Sequence, residues 1–287
     1  MTTITNRPTT DTDTATATAR RHDAAGRGDP GSVPAVTVRR VLLAELIKLR
    51  SVRSTTYALL TTVLAIAGLA VFAAVGATVQ AGAPEGPDPT GGSLAGLSLA
   101  GYVIAALGVL AVTAEYRTGT IASTLAAVPR RGTVLVAKAL AVAGVVFPVT
   151  VASTVGAFVA VRAVLATAGI DISLGEPGVL RAVVGGALYL TVVALLGSGL
   201  GWLLRSTAGA LAALFGVLIL LPVAALLLPA GLRAAVLPYL PDSAGMAIVQ
   251  TTPADGQLAP WTGFAVFSAY AAGTLLAAAW ALRRRDA

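Results

Sequence analysis

The chain has 287 residues, of which 56% are hydrophobic and 11% charged, with no cysteine and a formal net charge of +7. That balance lies outside the usual range for soluble domains, and the lack of thiols excludes disulfides and thiolate chemistry. The single histidine, His22, excludes a histidine metal cluster and a His-based triad.

Residues 1–35 are rich in Thr, Ala, Asp, Gly and Arg and poor in large apolar side chains. Such a composition cannot bury enough surface to offset its ordering entropy, so a disordered cytoplasmic tail is expected. Residues 36–54 form a candidate amphipathic helix, with Val38, Leu42, Leu46 and Leu49 on one face and Arg39, Arg40, Lys48, Arg50 and Arg53 over much of the rest. It reads either as an interfacial helix on the membrane surface or as an extension of the segment that follows. Glu45 and Lys48, three residues apart, read as a surface ion pair of small worth.

Six charge-free apolar stretches follow, at about 55–79, 93–112, 139–161, 182–204, 208–228 and 261–282. A bilayer's hydrocarbon core takes about 20 helical residues to cross, and lipid accepts only segments whose backbone polar groups are satisfied internally. The expected fold is therefore all-α, a polytopic membrane protein with six transmembrane helices filling 55–287.

Charge sets the orientation. The approach to the first span, the loop between spans two and three (Arg117, Arg130, Arg131, Lys138), Arg205 and the run Arg283, Arg284, Arg285 fall on one side. Only Arg162, Arg181 and Arg233 fall on the other, among six acids. By the positive-inside rule both termini are cytoplasmic, in the cell membrane. The basic excess is then explained by orientation and contact with the lipid bilayer, and no nucleic-acid partner is expected.

The cytoplasmic loop 113–133 carries a candidate short helix. Thr118 is placed to cap it, Ile121 and Leu125 give it an apolar face, and Pro129 with Gly132 would end it. Such a helix either docks on a partner or lies flat on the headgroups. Pro148 and Pro222 lie inside spans and should bend them. Gly197 and Gly201 in span four permit close helix approach, within the protomer or at a subunit interface. The outer loop 229–260 holds apolar pieces too short to span, which suits interfacial or re-entrant segments.

No phosphate-binding loop is present: Lys48 and Lys138 are the only lysines, and neither follows a glycine. The spans hold no ionisable group of the kind that proton- or sodium-coupled carriers and intramembrane proteases need. An enzyme is not expected. An ATPase-independent channel or a non-transporting anchor remains as an alternative to a driven transporter.

Four segments, in this order, resemble the permease subunits of type-two ATP-binding-cassette exporters, the actinobacterial branch in particular. They are Ala44-Glu45-Leu46-Ile47-Lys48-Leu49-Arg50-Ser51, Glu115-Tyr116-Arg117-Thr118-Gly119-Thr120, Pro129-Arg130-Arg131 and Arg205-Ser206-Thr207-Ala208-Gly209. The resemblance implies export of an amphipathic or lipophilic substrate, with ATP and Mg²⁺ held by a separate ATPase subunit and no cofactor on this chain. It also implies a second permease protomer. By the same resemblance Glu45, Lys48 and Arg50 belong to a connecting helix. Glu115, Arg117, Gly119, Thr120, Ile121 and Leu125 would meet the ATPase, and Leu237, Tyr239, Leu240 and Ile248 would help form an outer gate.

Overall fold

The computed structural model describes residues 38–79, 96–127, 131–251 and 256–284. The N-terminal tail, the loop between the first two spans and the Pro129-Arg130 pair lie outside the described residues. Every regular element among those described is helical. In chain order they are α1 (Val38–Ser51), α2 (Arg53–Val79), α3 (Leu97–Thr118), α4 (Thr120–Ala127), α5 (Arg131–Ala166), α6 (Val179–Leu204), α7 (Thr207–Ala225), α8 (Ala230–Val236), α9 (Pro241–Met246) and α10 (Pro260–Arg284).

Six helices, α2, α3, α5, α6, α7 and α10, are long and apolar enough to cross a membrane. Most run past the charge-free stretches that announced them, two of them by more than a turn. Span two continues through Glu115 and Arg117, and span three begins before Lys138 and runs past Arg162. A boundary drawn at the first charge fails here because Glu115 and Lys138 neutralise each other inside the packed protein.

Helix α6 is the central post, packed against α3, α5 and α10, while α2 leans on α5 and α3. Burial follows this order: 67% of the apolar window of α6 is buried, against 28% for α2 and 22% for α7. The close packing of α3 on α6 depends on missing side chains. A Cβ at Gly197 would strike the Ala105 carbonyl oxygen, one at Gly108 the Ala194 carbonyl oxygen, and one at Gly201 would press Val112 and Val109. Gly197 and Gly201 thus serve packing within the protomer. Several hydroxyls in the bundle bond back to carbonyls one turn earlier, as Thr62 does to Ala58 (2.8 Å) and Thr191 to Ala187 (2.8 Å), and Ser198 also donates across the crossing to the Gly108 carbonyl (3.1 Å).

The two span prolines differ in setting. Helix α5 runs unbroken through Pro148. In α7 a π-helical turn, Gly216–Leu220, directly precedes the segment that holds Pro222. The Leu221 N–H there bonds the Gly216 carbonyl five residues back, a widened turn of the kind that accompanies kinks in helices.

Candidate functional site

The residues that carry charge into the packed protein gather where α1, α3 and α5 meet. On α1 the buried stripe is Val41, Glu45 and Leu49, at i, i+4 and i+8. Val38, expected on the apolar face, is half exposed. The stripe is rotated because Glu45 has a partner inside. Lys138, 2% exposed, extends from α5 and donates to Glu45 Oε2 (2.6 Å), Glu115 Oε1 (2.8 Å) and the Ala111 carbonyl (3.2 Å). Those three bonds use all the protons of its ammonium. Lys48 donates to Glu45 Oε1 (2.7 Å) and Glu115 Oε1 (3.1 Å) from a side chain that is 45% exposed.

The surface reading of the Glu45–Lys48 pair is therefore corrected: Glu45 is 1% exposed and is the hub of a four-residue ion cluster. Glu115 Oε2 is buried and has no hydrogen-bond partner among the described residues. Glu115 reaches inward from the last turns of α3 and is not displayed for an outside contact.

Electrostatics follow from this geometry. Burial pushes the Glu45 carboxyl up, but Lys138 and Lys48 together outweigh it and hold it below its ordinary value. Burial likewise lowers the Lys48 ammonium, and Glu45 with Glu115 reverses that and raises it. A depressed acid stabilises the fold above its unfolded value, about 4.3, and loses that contribution as pH falls through the folded value. A raised lysine stabilises below about 10.4 and loses its contribution as pH rises through the folded value. The cluster's own contribution to thermal stability should therefore be level between about pH 5 and pH 10, with an acid limb below. In Glu45→Gln that acid limb should be shallower. An unchanged acid limb would exclude Glu45 as its source.

Helix α4 hangs beside the cluster. Gly119 ends α3 in the left-handed conformation (φ 73°), its N–H donating to the Tyr116 carbonyl, a position that favours glycine. Thr118 belongs to the end of α3, where its hydroxyl donates to the Ala114 carbonyl (3.0 Å); it does not cap α4 as the sequence suggested. Ile121, expected to face a partner, is 6% exposed and sits in a small core with Val41, Val134, Trp202 and Leu282. Arg117, Gly119 and Thr120 are exposed, as are Ala122, Ser123 and Ala126. Arg50 is exposed on α1. The side chain of Leu125 lies outside the described residues.

The segments between α7 and α10 form a second polar site. Ile248 is fully buried against Gly185 of α6, and Leu240 is buried, while Leu237 is half-buried and Tyr239 is exposed. The Tyr189 hydroxyl donates to Asp242 Oδ1 (2.8 Å). Arg181, at the start of α6, donates to the carbonyls of Ile248 (3.0 Å) and Gln250 (2.9 Å). These bonds moor the segment from Leu237 to Gln250 to the bundle.

Burial pushes the Asp242 carboxyl up, and the Tyr189 bond opposes it only in part. A raised acid makes the folded state less stable as pH rises from about 3.9 through the folded value. Asp242→Asn should abolish that slope, measured by hydrogen exchange of the 237–250 backbone over pH 4 to 7; a slope unchanged in the variant would refute it.

Sequence reasoning singled out Glu45, Lys48 and Glu115 for other duties and missed Lys138, Tyr189, Asp242 and Arg181. One signal was available: Glu45 stands midway between Val41 and Leu49 on an apolar stripe, where an acid demands a partner. No family model matches the chain, and no curated protein matches it significantly.

Proposed function

We propose that the chain is the permease subunit of an ATP-binding-cassette transporter in the cell membrane. On this reading it pairs with a second permease protomer, and separate ATPase subunits holding ATP and Mg²⁺ drive export of an amphipathic or lipophilic substrate. Both termini are cytoplasmic, as the basic loops argue. The observation that carries the reading is α4, a short helix between two span helices, secured inward by Ile121 and offering Thr120, Ala122, Ser123 and Ala126 outward.

A partner that displaces α4 pushes directly on the ends of α3 and α5. The ion cluster joins those ends to α1, so the push is shared by three helices. Glu115 and Ile121 brace the contact from beneath, and the exposed residues Gly119 and Thr120 make it, with Arg117 turned to the cleft beside α1. Rigid-body rocking of one bundle against another is an established route to alternating access.

The test is co-expression with a candidate ATPase encoded by a neighbouring gene, followed by capture from detergent. The unaltered chain should retain the ATPase. Ala122→Asp with Ala126→Asp, both on the exposed side of α4, should lose it while helicity stays unchanged. An inserted, folded chain that retains no ATPase would refute the proposal.

A further inference from the structure

Where α1, α2, α3 and α4 meet there is a cleft of about 700 Å³, within the size range of single-ligand sites. Its lining is graded. Ala58 of α2 with Leu107, Leu110 and Ala111 of α3 supply an apolar stretch, and Lys48 and Arg117 supply a basic one. Leu107 and Arg117 are separated by about 15 Å along the axis of α3. That is half of a hydrocarbon core of about 30 Å, the depth of one leaflet.

The sign of the charged end is decided by its neighbours. Glu45 and Glu115 are already matched by Lys138 and Lys48. Arg117 is exposed and makes no ion pair among the described residues, so it is the unmatched charge. An anion complements this end; a cation does not. A free phosphate would use the basic end and leave the apolar stretch unfilled. Basic pockets between membrane helices on the cytoplasmic side are suited to anionic headgroups.

We propose that this cleft holds an anionic phospholipid of the cytoplasmic leaflet. The phosphate sits on Arg117, with Lys48 able to add the one ammonium proton that its two acids leave free, and one acyl chain runs past Ala111 and Leu110 toward Leu107. The assignment of this end to the cytoplasmic side rests on the orientation read from the basic loops; the ATPase partner plays no part in it.

The test uses the full chain in detergent and native mass spectrometry, with phosphatidylglycerol, phosphatidylcholine and glycerol phosphate as probes. The unaltered chain should retain phosphatidylglycerol over phosphatidylcholine, and glycerol phosphate should not displace it. Arg117→Glu should weaken retention about tenfold or more, and Ala111→Phe, which fills the apolar stretch, should also abolish it. Arg39→Glu, an equal charge change on the exposed surface of α1 away from the cleft, should leave retention unchanged, with helicity checked by circular dichroism for all three. Equal loss in all three variants, or loss in none, would overturn the site. Full displacement by glycerol phosphate would reduce it to an anion site and overturn the lipid assignment.

Discussion

Lys138→Met is expected to cost about 3–5 kcal/mol of stability, because it leaves two buried carboxylates, Glu45 and Glu115, with only the half-exposed Lys48 ammonium between them. The size of the effect comes from the charges left behind more than from the attraction lost. A buried ion cluster contributes little net stability against an apolar replacement of similar volume, since desolvation offsets most of the Coulomb gain. Glu45→Leu with Glu115→Leu and Lys138→Met together should therefore recover most of what the single change loses. Thermal unfolding of the detergent-solubilised protein, followed by size-exclusion recovery after heating, separates the cases. A triple variant as unstable as the single one would mean that the cluster's geometry, and not its charge balance, holds α1 in place.

The second large effect is expected at the α3–α6 crossing. Ala is a better helix former than Gly by about 1 kcal/mol, so Gly→Ala ordinarily favours a helix. At Gly197 and Gly108 the sign should reverse. The added methyl would meet a backbone carbonyl, which cannot swing aside as a side-chain tip can, and overpacking of this kind costs about 1–3 kcal/mol or more. Gly68→Ala and Gly76→Ala on α2, where a Cβ meets nothing within 4 Å, should be neutral or slightly stabilising. Melting temperatures of the four variants, measured side by side, decide the matter. A uniform response would mean that helix propensity outweighs the crossing.

These two sites mark how far the sequence could be read. The six spans were legible because a long charge-free apolar run has few other destinations than a bilayer. Gly197 and Gly201 were legible as a close-packing pair from their spacing, although nothing in that spacing named Ala105 or Val109 as the surface they meet. The ends of spans two and three were not legible. A lone Glu115 or Lys138 looks like the start of a loop until the fold places one against the other, 23 residues apart in sequence. Helix α4 was expected from its local pattern, but the inward turn of Ile121 depends on Trp202 and Leu282, which come from two distant helices. The Tyr189–Asp242 and Arg181 moorings join a span to a loop more than 50 residues away, and no local period announces such a pairing.

The Glu115–Lys138 contact also bears on how the chain is made. A carboxylate or an ammonium carried alone to the edge of the hydrocarbon must drag water with it or linger at the surface. Here the two opposite charges sit on neighbouring helices joined by the turn that contains α4. They can find each other as soon as the second of those helices leaves the ribosome, before α6 exists to shelter them. Spans two and three would then enter the bilayer as a hairpin whose two packed-in charges cancel, and the newborn protein would need no later partner to quench either of them.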